Sequence, residues 1–409
     1  MRRLASWFAV LLLACAGGAA PQVVLRVGTS GDYAPFSLRD PAGRRDGFDV
    51  AVARAYAQER GLAIHWVPLH WATLDRDFAA GRFDVVMSGV TVRPERSVAG
   101  RFSLPVVQSG AVLLTHGTAT SAPLPAGARI AVNAGGHLER VARGLFPDAT
   151  LRPLSPNAAV REALLAGAVD AAVSDTLEAP GWLEGTSGLH VLGPFTRDWK
   201  AYWLPAAASE REHDLDAWLS AREADGSLAA LRAHYLPEAA RQPGATALVA
   251  LGAAIEERLS LMPMVAEAKR ATGAKVRDPA QEKVVLGVAL DSVRDAAERE
   301  RLVAPADGAV HDFFLALIDA ACEVQERTLA GPAPAAAGPP LADPPQELAP
   351  VLRPALARIS ERIAWLLVRL PQPLDGGALE DALTPIERSG VAPATRERIA
   401  DALHRLHTP

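Results

Sequence analysis

Cysteine is nearly missing from this chain: its 409 residues include two, Cys15 and Cys322. No disulfide framework is implied, even for an oxidising compartment. No segment reaches the roughly 18 uninterrupted apolar residues that a membrane-spanning helix requires. Neither sign of charge dominates, because 42 Lys and Arg stand against 47 Asp and Glu for a net charge of −5. That balance gives no reason to expect nucleic acid or an anionic membrane as a partner, so an anionic ligand must be held by local arginines. The ten histidines are scattered, and His65 and His70 lack helical ligand spacing, so no metal site is indicated. No serine sits in a nucleophile elbow. Gly135 and Gly136 lack the third glycine of a dinucleotide fingerprint, and no cofactor is expected.

What is present is material for more than one core: 49% of the residues are hydrophobic and 22% charged, over a length that suggests two or three domains. Residues 1–20 read as an export signal, with Arg2 and Arg3, a short apolar stretch at 7–14, and small residues at 16–20. The expected location is therefore the periplasm. Cys15, preceded by Leu12, Leu13 and Ala14, is a candidate lipid acceptor; the alternative is an ordinary cleaved signal with an incidental cysteine.

From residue 21 to 238, short β-branched runs alternate with amphipathic stretches. Residues 23–27, 63–67, 83–86, 129–132 and 171–173 predict strands; 48–60, 74–80, 138–146 and 157–166 predict helices, and a long helical stretch at 210–235 closes the pattern. This alternation implies an α/β domain with a mostly parallel sheet. From 245 to 409 the period is helical throughout, with helices expected at 246–269, 279–300, 309–329, 345–370 and 395–407. The one low-complexity stretch, 330–345, is rich in Pro and Ala and reads as a helix–helix connection.

Several residues of the α/β part suit an anion. Ser88 and Gly89 end a buried strand, Thr91 follows, and Arg96 opens a helix, so that backbone N–H groups, a hydroxyl and a guanidinium can converge on a carboxylate. In a plainer setting Arg96 is a surface arginine at a helix start. Asn133 closes a strand, and Gly135-Gly136 opens a helix headed by His137, a backbone site for a second anionic group. Tyr33, Phe36, Phe48 and Trp71 either line a cleft or fill a core.

The segments TSGDYAPFSLRD, GFDVAVARAYA and RFDVVMSGVTVRPERSVAGRFSLP resemble the first lobe of periplasmic proteins that bind polar amino acids. More narrowly, GDYAPFS, MSG, VNAGG and SDTLEA are similar to periplasmic cyclohexadienyl dehydratases, which convert prephenate or arogenate to phenylpyruvate or phenylalanine. The resemblance covers 23 to about 236 and implies a two-lobed periplasmic-binding-protein-like fold. It also implies roles: Asp175 matches the aspartate that takes a ligand ammonium in binding proteins, and Glu178 matches the dehydratases' general acid. Protonating a leaving hydroxyl requires such an acid. Burial and the like charge of Asp175 would keep Glu178 protonated, whereas a helix-capping role would leave it ionised. One departure is Ala111, where relatives carry lysine after the hinge glycine; Lys200, in DWKAYWLP, is a compensating cation.

In the helical part, RLSLMPMVAEAK, VRDPAQEKVVL, VHDFFLALIDAACEVQ and LRPALARISERIAWLL resemble the secreted class of all-helical chorismate mutases, over about 247–400. That rearrangement is pericyclic, so catalysis means gripping a dicarboxylate and stabilising charge on the breaking ether oxygen. By resemblance, Arg258 and Arg362 are carboxylate clamps, Lys269 and Gln325 ether-oxygen donors, and Glu282 the partner of the ring hydroxyl. Pro263, between Arg258 and Lys269, makes their shared helix face approximate. Two positions depart from the pattern: an expected clamp arginine is Gln281, and a small hydroxyl residue is Ala321.

The expectation is thus an exported bifunctional enzyme turning chorismate into prephenate and dehydrating prephenate or arogenate, with those small molecules as partners and a homo-oligomer left open. The rival is a solute-binding protein for an amino acid or aromatic acid, with a degenerate helical appendage.

Overall fold

The structure is a computed structural model and describes residues 22–116, 124–331 and 347–406. The expected export signal, Cys15, and nearly all of the Pro/Ala-rich connection lie outside the described residues. No described helix is long and apolar enough to cross a membrane.

The chain builds most of a first lobe from β1 (Val24–Thr29), α1 (Phe48–Glu59), β2 (Ala63–Pro68), α2 (Leu74–Ala79), β3 (Val85–Val86), α3 (Pro94–Ala99) and β4 (Gly100–Phe102). It crosses on β5 (Val107–Ser109) into a second lobe. There it forms β6 (Ala111–His116), β7 (Arg129–Asn133), α4 (His137–Leu145), β8 (Thr150–Leu154), α5 (Ala158–Leu165), β9 (Ala171–Asp175), α6 (Ala179–Leu183) and β10 (Leu189–Leu192). It returns on β11 (Asp198–Lys200) and completes the first lobe with β12 (Trp203–Pro205), α7 (Ser209–Ala224) and α8 (Ser227–Tyr235).

The first sheet has the order β2-β1-β3-β12-β4 and the second β8-β7-β9-β6-β10, with β5 and β11 pairing between the lobes as a hinge. In each sheet the first two pairings are parallel and the last two antiparallel. A mostly parallel sheet was expected; the antiparallel half arises because β12 and β6 each enter their sheet directly after a hinge crossing, against the βαβ direction. The fold is the two-lobed α/β architecture of periplasmic binding proteins, followed by an all-helical half.

The helical half comprises α9 (Ala247–Ser260), α10 (Met262–Thr272), α11 (Pro279–Glu300), α12 (Asp307–Ala330), α13 (Arg353–Val368), α14 (Gly376–Leu383) and α15 (Pro393–Arg405). Sequence periodicity predicted one helix over 246–269; the chain breaks it at Leu261, where Pro263 cannot donate to the preceding turn. The 210–235 stretch likewise splits at Gly226, whose positive φ only glycine adopts readily. Helix α14 was not predicted.

The expected boundary near 238–245 is not a loose joint. One continuous cluster of buried side chains runs from Leu25 and Phe48 through Leu104, Leu219 and Ala245 into Leu251, Phe313 and Trp365. Phe36 and Phe48, weighed as cleft residues, are fully buried members of it.

Candidate functional site

Two cavities carry the predicted residues. The first lies between the lobes. The segment after β3 delivers Gly89 and Thr91, α3 delivers Arg96, β7 and the start of α4 deliver Asn133 and Gly136, and the turn after β9 delivers Glu178; Tyr33, Trp71 and Lys200 also line it. The lobes are closed on one another around a volume of about 30 Å³. The Tyr33 hydroxyl donates to Asp175, Asn157 N donates to Asp32 Oδ2 at 3.2 Å, and Arg140 pairs with Glu95 at 3.1 Å, each bond crossing from lobe to lobe.

Arg96 is 2% exposed and is held at Nη1 by the Thr91 carbonyl (3.3 Å) and at Nε by Asp75 (3.4 Å), over the Trp203 ring. Its Nη2 is buried without a partner. Burial, reinforced by Arg93, pulls its pKa down to about 9, so a ligand carboxylate would restore what burial removes. Glu178 is buried at the start of α6, accepting from Asn157 Nδ2 (2.5 Å) and Ser174 Oγ (2.7 Å). Burial first, and then the Asp175 charge, raise its carboxyl to about 8. A neutral-pH proton donor therefore stands in the same cavity as an unsatisfied guanidinium.

Three predicted contacts sit behind the cleft wall. Ser88 bonds Ser30, its Oγ accepting from Ser30 N at 3.0 Å and donating to Ser30 Oγ at 3.0 Å. Asp175 is fully buried and bonded to protein groups alone. Gly135 supplies a lobe–lobe contact: a Cβ there, at φ +71°, would lie 2.4 Å from Ala72 Cα. Its N–H donates to Glu139 Oε2 at 2.7 Å, so a carboxylate of the chain already serves the opening of α4, where an anion was expected. Sequence reasoning missed Asn157, which bonds the candidate acid from the start of α5.

The second cavity, of about 610 Å³, opens between α9, α10, α11, α12 and α13, and Arg258, Lys269, Gln281, Glu282 and Gln325 all line it. Arg258 is buried with Nε and Nη1 unpartnered, and burial lowers its pKa to about 10. Lys269 donates to the Val276 carbonyl at 2.7 Å, and burial lowers its pKa too. Gln325 donates to the Ala321 carbonyl at 3.1 Å, leaving Oε1 buried and unpartnered, as is Glu282 Oε1.

Arg362 is the correction. It does not reach this cavity but is buried against the first lobe, paired with Glu257 and donating to the Phe102 carbonyl at 2.5 Å. Arg353 lines the cavity instead. The two are nine residues apart on α13, two and a half turns, and therefore face opposite ways.

Residues 25–238 match the model of bacterial extracellular solute-binding proteins, family 3. The chain belongs to that family. Within it, a cyclohexadienyl dehydratase from Pseudomonas aeruginosa is 33% identical over 225 residues, covering 52% of this chain and 82% of that protein. The L-cystine-binding protein TcyJ of Escherichia coli K12 is 28% identical over 213 residues, 51% of this chain and 80% of that one. A solved structure of a putative ABC-transporter binding component from Wolinella succinogenes, complexed with lysine, is 25% identical with a TM-score of 0.50 over 53% of this chain and 96% of that one. The family match ends at residue 238, and the helical half lies beyond it.

Proposed function

We propose that the solute-binding half is a cyclohexadienyl dehydratase of the periplasm, acting on prephenate or arogenate, and that the helical half is a weak chorismate mutase supplying it with prephenate. The observation that carries the dehydratase reading is the pairing, in one closed cleft, of Glu178 with a pKa near 8 and Arg96 with a free Nη2. A carboxylic acid kept neutral at pH 7 is what protonation of a leaving hydroxyl requires.

In the reaction, Arg96 grips a carboxylate of the substrate. Glu178 gives its proton to the ring hydroxyl, the C–O bond breaks, and water leaves. The ring carboxylate departs as carbon dioxide, and the electron pair of its C–C bond completes the aromatic ring. No metal or redox group is needed for the balance. General acid catalysis of this kind is worth roughly 100- to 10,000-fold in rate.

For the helical half, the reading rests on the grouping of Arg258, Lys269, Glu282 and Gln325 around one 610 Å³ cavity. Arg258 and Arg353 then clamp the two carboxylates, while Lys269 and Gln325 face the ether oxygen. Gln281 stands where a third charged contact would help, which is why the activity is expected to be weak.

A second reading, solute binding without chemistry, is favoured by the amino-acid-binding relatives, and Arg96 serves it equally well. Incubating the purified protein separately with prephenate and with chorismate, and following phenylpyruvate, tests the scheme. Phenylpyruvate from prephenate supports the dehydratase, and from chorismate both activities. No turnover of either prephenate or arogenate leaves the binding-protein reading.

A further inference from the structure

Amino-acid recognition requires acceptors that are free to receive an ammonium group. In this cleft they are spoken for. Asp175 Oδ1 accepts from Leu177 N at 2.9 Å and Glu178 N at 3.0 Å. Oδ2 accepts from the Tyr33 hydroxyl and lies 3.4 Å from Lys200 Nζ. A carboxylate offers about four lone-pair positions, and all four face donors of the chain itself. Lys200 is equally committed: its ammonium donates to Thr91 Oγ1 at 2.9 Å and Tyr33 Oη at 3.1 Å besides facing Asp175. Both side chains are buried.

Of the three buried side-chain atoms that line the cavity without a hydrogen bond among the described residues, two are donors and the third, His137 Nε2, faces Asp198 Oδ1 at 3.1 Å. Arg96 Nη2 and Trp71 Nε1 are buried donors without partners, and both side chains line the cavity. Asp32 Oδ1 is a buried acceptor without a partner, but Asp32 is not part of the cavity lining. An entering ammonium would lose its water, meet the like charge of Lys200 and find Asp175 filled, while Glu178, the other carboxyl of the cleft, is kept protonated by burial, an arrangement that is unfavourable when uncompensated.

We infer that Lys200 is the specificity-determining residue of this cleft: its ammonium occupies the acceptors an amino acid would use, so the site takes 2-oxo carboxylates in preference to the matching 2-amino acids. The inference deepens the proposed dehydratase reading and rests on the part of it that makes this cleft the ligand site. Of the two candidate substrates, it selects the one bearing a pyruvyl side chain.

Calorimetric titration with phenylpyruvate and with L-phenylalanine tests it, since the pair differs in the group at issue. Wild type is expected to bind phenylpyruvate at least tenfold tighter than L-phenylalanine. Lys200→Met frees Asp175 and Thr91 and should move that ratio at least tenfold toward the amino acid. Tyr33→Phe, which vacates one position on Asp175 while leaving Lys200 in place, should move it in the same direction by less, and serves if Lys200→Met does not fold. Equal or reversed preference in wild type overturns the inference. A ratio unmoved in a folded Lys200→Met protein overturns the role of Lys200. Arg96→Ala separates the premise: phenylpyruvate binding as tightly to that variant as to wild type means that the cleft is not the ligand site, and binding of neither probe to wild type sinks the cleft assignment and the inference together. Dehydratase turnover is a separate readout, because the preference holds for a non-catalytic 2-oxo-acid binder too.

Discussion

At the scale of single residues, Glu178 is the clearest case of a role set by surroundings. The sequence placed it three residues after Asp175; the structure adds burial and the Asn157 bond. With its carboxyl near 8, the protonated acid should fade as pH rises past that value, so kcat for prephenate is expected to fall on an alkaline limb centred near pH 8. Glu178→Gln should lose at least about 100-fold in turnover and retain ligand-induced thermal stabilisation. Wild-type turnover in that variant would end the assignment. The linkage has a definite sign: a folded pKa raised above the unfolded one favours the native state below the unfolded value, near 4.5, and that contribution drains away up to about pH 8. Glu178→Gln should therefore flatten the loss of stability across that window in pH-dependent denaturant unfolding.

Gln281 belongs to the same scale. It lines the helical cavity as a neutral amide where the mutase pattern has arginine. If a dicarboxylate is held there, Gln281→Arg should raise kcat/KM for chorismate by roughly tenfold or more, the return for a regained charged contact. No chorismate consumption by wild type or variant would remove the mutase from the scheme.

At the scale of elements, α13 serves two sites from two faces. Arg353, Leu356 and Ser360 look into the helical cavity. On the other side, Arg358 Nη2 donates to the carbonyls of Ser97 (3.1 Å), Val98 (2.9 Å) and Gly100 (3.3 Å), around the end of the short helix α3 that carries Arg96. Those carbonyls have no further helical turn to receive them. Removing the guanidinium should loosen α3: in Arg358→Ala, hydrogen exchange of residues 94–100 is expected to accelerate, and KM for a cleft ligand to rise several-fold while kcat holds. Unchanged exchange in that segment would mean that α3 is rigid without its helical neighbour. The same two-faced geometry explains why a linear pattern misassigned Arg362. A string of residues records spacing, but which side of α13 meets which neighbour is decided by packing.

At the scale of the molecule, the helical half is fastened to the first lobe and to the hinge. Arg362 joins Glu257 of α9 to Glu212 of α7, at 3.6 Å from the latter, and Arg101 pairs with the same Glu212 at 2.6 Å. Burial works against the Arg362 charge, and Glu257, Glu212 and Asp216 more than offset it, holding the guanidinium above its ordinary pKa. On the hinge side, Glu256 accepts from Trp199 Nε1 at 2.7 Å and pairs with Arg197 at 3.2 Å. With a shared core besides, the first lobe and the helical half should unfold together in one transition. Arg362→Met leaves buried carboxylates without their partner and is expected to lose about 3–5 kcal/mol in denaturant unfolding, with chorismate KM unchanged. A raised KM at unaltered stability would return Arg362 to the clamp role.

The sequence by itself determined that an α/β half is followed by an all-helical half, because alternation and helical period are local properties of a chain. Arg96, Glu178 and Lys200 were all legible there as residues of interest, and so were Arg258, Lys269 and Gln325. Only the tertiary structure decided what each one faces. It put Asp175 and Ser88 behind the cleft wall, filled the acceptors of Asp175 with two backbone N–H groups, Tyr33 and Lys200, brought Asn157 to Glu178 from another element, and turned Arg362 toward the lobe and Arg353 toward the cavity. The physical reason is that hydrogen-bond saturation and burial are sums over neighbours distant in the chain: Tyr33 meets Asp175 across 142 positions, and no local pattern carries that term.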